Sequence, residues 1–205
     1  MKHFLFLGDS ITDCGHSFDP ENLGNGYVRM IHGYFREQHE PVHLENMGVD
    51  GFTIPAVNRL WNLFCSDSNP DLITLLVGIN DLAVAKNTGK DTELAMLEFQ
   101  HQYESLIRQI QKETTCPILL MEPFIFPWPA MFASWEEDVK KMNTIIAEIA
   151  GKYHLQYLPL WEPLSNAASK YGYDAITLDG VHLTNMGHQI IADLWIQFLL
   201  RSPLP

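Results

Sequence analysis

The sequence predicts an α/β domain, a parallel sheet with helices on both faces. Two observations carry this reading. Five short apolar runs alternate with stretches whose apolar residues recur at helical spacing, and there are no internal repeats. The polar residues with chemical potential also fall after the strands, along one edge of the sheet, where parallel sheets hold their ligands.

The elements follow in order. Phe4 to Leu7 is an apolar run ending at Gly8, as a buried parallel strand does. Residues 26–39 place Val28, Ile31, Tyr34 and Phe35 on one helical face. Val42 to Met47 reads as a second strand, and Thr53 to about Cys65 as a helix. Asp71 to Val77, just after Asn69-Pro70, is the clearest strand. A long amphipathic helix over 92–113 leads through Cys116-Pro117 into a strand from Ile118 to Met121. A helix over about 134–152, a strand at 155–158 and a helix over about 186–200 complete the pattern. Residues 1–205 are therefore expected to form one domain, long enough to bury roughly 70% of the unfolded surface.

Composition narrows the function. The net charge of −12 and the scattered 13 Lys and Arg argue against a nucleic-acid partner and against anionic lipid. No apolar run approaches the roughly 20 residues of a membrane span, and the first residues lack a secretory signal. Cys14, Cys65 and Cys116 are widely spaced and fit no zinc pattern, so they read as reduced thiols of a cytoplasmic protein. Cys14 is close enough to Ser10 to line the same pocket.

Three groups of residues carry chemistry. In Gly8-Asp9-Ser10, a hydroxyl at the mouth of a strand can attack a carbonyl once a base removes its proton. Alone, such a serine is commonly a turn residue or helix cap. In Asp179-Gly180-Val181-His182, side chains three apart lie on one side of the backbone. Asp179 then fixes the tautomer of His182, leaving Nε2 free to accept the Ser10 proton. The rival readings are a capping aspartate beside a surface histidine, or a metal site for which no suitably spaced third ligand exists. Finally, Asn46 to Gly51 and Gly78 to Asp81 follow strands and supply oxyanion donors: Gly51 N–H and the Asn80 amide, together with Ser10 N–H. Taken singly, each is an ordinary loop.

Together these blocks resemble the SGNH (GDSL-type) hydrolases. Gly-Asp-Ser, Asn-x-Gly-x-x-Gly, Gly-x-Asn-Asp and Asp-x-x-His occur in the family's order between residues 8 and 182. The resemblance implies a three-layer α/β/α sandwich with a five-stranded parallel, flavodoxin-like sheet. It implies Ser10 as nucleophile, His182 as base and acid, Asp179 as its orienting partner, and an oxyanion hole of Ser10, Gly51 and Asn80. No metal or organic cofactor is implied. There is no Gly-x-Ser-x-Gly elbow, which argues against the α/β-hydrolase fold. One departure is Leu183 after the histidine, where many relatives have proline.

Further residues are expected near the site. Asp9 should hold the nucleophile loop, Asp81 should brace Asn80, and Asp13 should serve a helix N-terminus; Asp9 and Asp13 are also candidate substrate contacts. His188 is a rival base, though inside the last helix it should pack or face solvent. The aromatic, proline-stiffened segment 122–135 either walls the pocket, with Phe126 and Trp128 on substrate, or forms a satellite core. The start of the chain, with Gly24-Asn-Gly-Tyr-Val28 after Ile11-Thr-Asp-Cys-Gly15, is similar to intracellular acetyl-xylooligosaccharide esterases. That likeness implies a small acetylated carbohydrate as substrate. Lipid-ester hydrolysis by a lysophospholipase or thioesterase is the alternative, and a non-catalytic binding module is a third reading. Some relatives assemble, so a homo-oligomer is a further expectation.

Overall fold

The computed structural model describes residues 1–66 and 68–201. Its strands are β1 (Lys2–Gly8), β2 (Val42–Gly48), β3 (Leu72–Leu76), β4 (Ile118–Met121) and β5 (Gln156–Leu158). All pair in parallel, in the order β2-β1-β3-β4-β5. This is the flavodoxin-like order, and the chain changes direction across the sheet between β1 and β3. Loops leaving the carboxyl ends of those two strands diverge, which opens a crevice there.

Period-two alternation splits the core in two. Phe4 and Phe6 point to one face, where they meet helices α2 (Tyr27–Glu37), α7 (Trp161–Tyr171), α8 (Tyr173–Ile176) and α9 (Asn185–Arg201). Leu5 and Leu7 point to the other, under α3 (Ile54–Leu60), α4 (Ile79–Thr88), α5 (Thr92–Glu113) and α6 (Glu136–Tyr153). These layers make the α/β/α sandwich. A short α1 (Ser10–Asp13) follows β1. Trp195 shows how a polar atom is accommodated inside: its indole N–H donates to Thr74 Oγ1 at 3.0 Å, so both are satisfied while buried.

Two differences from the sequence reading are informative. Residues 79–88, 161–171 and 173–176, to which the sequence reading assigned no element, are helices. In α4 only Ile79, Leu82 and Ala85 are buried, too sparse a stripe to stand out beside Asn80 and Asp81. In α7 the inward face is reduced to Leu164 and Ala168. The helix predicted from Thr53 does reach Cys65, with its last turn, Trp61–Cys65, widened into a π-helix.

Candidate active site

Gly8 ends β1 with no room for a side chain: a Cβ would land on Thr12 Oγ1 and the Leu76 carbonyl. The chain therefore turns directly into α1. Asp9 caps that turn, its buried carboxylate accepting the Ile11 N–H at 3.0 Å. Ser10 opens the helix at the crevice mouth, half-buried.

The partner groups arrive from the turn between α8 and α9. Thr177 organises it: its hydroxyl accepts the Gly180 N–H and donates to the His182 carbonyl, each at 2.8 Å. The same carbonyl accepts the Leu178 N–H at 2.8 Å, and Thr177 bridges to Leu183 in antiparallel fashion. Gly180 adopts φ +97°, and the Trp128 carbonyl presses where a Cβ would stand, so only glycine fits. On this scaffold, Asp179 Oδ1 accepts the N–H groups of Val181 (2.9 Å) and His182 (2.8 Å), while Oδ2 lies 2.7 Å from His182 Nδ1. His182 Nε2 then lies 3.0 Å from Ser10 Oγ. Residues 172 positions apart thus form one hydrogen-bonded chain. Partial burial alone would raise the Asp179 carboxyl, but the bonds from the His182 ring and the two N–H groups outweigh it and hold it below its ordinary range.

Asn80, the second residue of α4, lines the same cleft, and its amide donates to the Phe52 carbonyl at 3.1 Å, which fixes the plane of the group. Gly51 lies on the exposed turn Val49–Phe52 at φ +73°, beside Asp50, which lines the cleft. Neither Gly51 N–H nor Ser10 N–H has a protein acceptor among the described residues. Both turn and helix are braced from behind. Asp81 accepts the Ile54 N–H with both oxygens at 3.2 Å. Burial pushes its pKa up to about 7, against the lowering effect of that bond. Asn46, given no role of its own from the sequence, donates to the carbonyls of Thr12 (2.8 Å) and Leu23 (2.9 Å) and accepts the Gly48 N–H.

The four expected substrate contacts are placed as follows. Asp9 is sealed beneath Ser10, and desolvation raises its pKa to about 7. Asp13 accepts the Asp50 N–H and the His16 ring and backbone N–H groups, so it steadies the Gly51 turn. Phe126 is 1% exposed, packed between Phe124 and Tyr173. Trp128 stays at the surface, outside the cleft lining. The wall comes from farther along the same segment, with Pro129, Met131, Phe132 and Trp135 bounding a cleft of about 500 Å³ that also holds Ser10, Asn80 and His182. The chain direction explains the shift: Phe126 N–H donates to the Gly180 carbonyl, which pins residue 126 inward and leaves later residues to reach the opening.

Cys14 and His188 also lie elsewhere than the cleft. Their Sγ and Nε2 are 3.2 Å apart beneath Tyr27, whose ring stacks on the imidazole. Burial lowers the His188 pKa to about 4, with the nearby His182 adding to the effect, so it stays neutral and packed. A larger cleft, about 640 Å³ around Glu122 and Trp161, contains no hydroxyl–imidazole pair. Glu122 is occupied there with Tyr157 and the Leu160 and Trp161 N–H groups.

Residues 6–190 match the GDSL-like lipase/acylhydrolase family. The chain belongs to it. This family membership makes the protein a carboxylic ester hydrolase, in accord with the hydroxyl–imidazole–carboxylate array. Among curated relatives of this GDSL-like chain, an acetylxylan esterase of Geobacillus stearothermophilus is 24% identical over 96% of this chain and 93% of its own. The solved structure of that esterase superposes with a TM-score of 0.79 at 23% identity, covering 96% and 93% of the two chains. A tryptophan variant, described as an acetyl-xylooligosaccharide esterase from the same organism, gives 0.83 at 22% identity over 100% and 96%. At such identities these structures establish the shared fold. Catalytic variants of the Geobacillus enzyme replace a serine, an aspartate or a histidine by alanine, the last two lying three apart in its chain.

Proposed function

We propose that this hydrolase is a serine acetylesterase that deacetylates small carbohydrates such as xylo-oligosaccharides. The observation that carries the reading is the 3.0 Å approach of Ser10 Oγ to an imidazole held by Asp179 at 2.7 Å. Ser10 Oγ attacks the acetyl carbonyl carbon while His182 Nε2 takes its proton. The negative charge on the former carbonyl oxygen is met by Ser10 N–H, Gly51 N–H and the Asn80 amide. The sugar hydroxyl then leaves with the proton from His182, and a water, deprotonated by the same nitrogen, cleaves the acetyl-serine. The names of the relatives, and the equal spacing of aspartate and histidine in their catalytic variants, support this substrate class. Phe132 and Trp135 offer faces for a sugar ring.

Among the described residues no helix is long and apolar enough to cross a membrane, and the three free thiols support a cytoplasmic setting. The test is twofold. A fluorophosphonate should label Ser10, and labelling should vanish in Ser10→Ala. p-Nitrophenyl acetate should be cleaved faster than the octanoate, and acetylated xylobiose faster than lysophosphatidylcholine. The reverse orders would assign the Met131–Trp135 wall to a lipid chain instead.

A further inference from the structure

At the other end of the sheet, His3, His43 and Glu45 form a cluster that the esterase chemistry does not use. Strand register makes it: His3 pairs with His43 across the parallel β1–β2 ladder, and Glu45, two residues on, shares their face. Toward the crevice that face continues as Leu5, Leu7 and Met47, which pack in the core under α3–α6. Toward the amino ends of the strands the apolar side chains stop and the two imidazoles and the carboxylate take over. One ligating atom from each of the three lies within 4.8 Å of the others, and His3 Nε2 and Glu45 Oε2 are already 3.0 Å apart.

We propose that these three side chains bind one zinc-class divalent ion. A tetrahedral zinc with nitrogen and oxygen ligands at about 2.0–2.1 Å needs ligand atoms separated by about 3.3 Å. The His3–Glu45 pair, 3.0 Å apart, needs to open only by a few tenths of an ångström, and the ion replaces the proton they share. His43 is exposed, and its ring lies 4.7 Å from that of His3, so a side-chain rotation completes the third bond without moving backbone. Water fills the fourth position. Two imidazoles and one carboxylate suit zinc, nickel or copper better than calcium or magnesium, whose ligands are oxygens. Access runs along the free edge of β2, where His43 and Glu45 line a cleft of about 370 Å³ with His16 and Glu21. The ion clips this edge strand to β1, about 16 Å along the strand from Gly8, and so outside the hydrolytic step.

Zinc is titrated calorimetrically into chelator-treated protein carrying His182→Asn, which removes the imidazole–carboxylate pair of the active site. One equivalent should bind. Affinity should fall at least about tenfold in His43→Gln and in Glu45→Gln, a loss that even a supporting contact produces when removed. In the otherwise natural chain, zinc should raise the melting temperature, and His43→Gln should abolish the rise while leaving p-nitrophenyl acetate turnover unchanged. Absence of binding, or binding that survives both substitutions, overturns the proposal. His43 is a surface residue, so its replacement does not put folding at stake.

Discussion

Asparagine is the informative replacement at Asp179, because the surrounding bonds dictate how it must sit. Oδ1 accepts two backbone N–H groups, from Val181 and His182, whereas Oδ2 meets only His182 Nδ1. An asparagine keeps the two backbone bonds by placing its carbonyl oxygen at the Oδ1 position. Its NH2 group then faces Nδ1, which must become an acceptor, so the ring proton moves to Nε2. That nitrogen can no longer take the Ser10 proton across their 3.0 Å separation. Trapping the wrong tautomer in a serine triad costs about 10⁴ in turnover, or ~5 kcal/mol of barrier. The assay is kcat/KM on p-nitrophenyl acetate for the purified Asp179→Asn protein, with its melting temperature as a fold control. If Asp179 serves only to hold the turn, asparagine retains that role and activity survives. A loss below about tenfold, with melting unchanged, would therefore refute the tautomer argument.

Three further outcomes are expected. Asn80→Ala should lower kcat about a hundredfold to a thousandfold, with KM less affected; a comparable loss confined to KM would mean that the amide holds the ground state. His188→Phe should keep kcat/KM within about tenfold of wild type, whereas His182→Ala should lose most of it, the roughly 10²–10⁴-fold or more that a base contributes; reversed results would exchange their roles. The third concerns Asp9, whose folded pKa of about 7 exceeds the ordinary 3.8 because it is desolvated. The native state therefore holds a proton that the unfolded chain releases, and this contribution, complete below about pH 4, is lost as pH rises through 7. Asp9→Asn keeps the acceptor for Ile11 N–H and stays neutral. It should be more stable than wild type near pH 8, by at most about 4 kcal/mol, and match it near pH 4. Urea midpoints at the two pH values decide, and an equal difference at both would contradict the linkage.

Much of this architecture is legible in the sequence alone. The apolar runs Leu72–Leu76 and Phe4–Leu7 reflect burial on both sheet faces, which composition records directly. Ser10, Asp179 and His182 stood out through spacing and order, and the structure brings their side chains together. What stayed hidden depended on direction rather than residue type. Asp9 and Asp13 are as polar as any ligand-binding group, yet each turns to a backbone N–H. Phe126 and Phe132 are chemically identical, yet the bond from residue 126 to Gly180 and the rings of Phe124 and Tyr173 hold the first inside while the second lines the opening. Thr177 carries no signal in a linear reading, although it holds the whole turn.

The contact of the 122–135 segment with Gly180 has a practical outcome for anyone redesigning selectivity. Phe126 N–H grips the Gly180 carbonyl, and the Trp128 carbonyl closes over the same glycine, midway between the carboxylate and the imidazole. Grafting a longer or shorter wall upstream of Pro129 would tug on the proton-transfer apparatus, trading rate for scope. The Phe132 ring covers the same glycine, so exchanges at Met131 and Trp135 lie beyond that clamp, and they are where a library should begin.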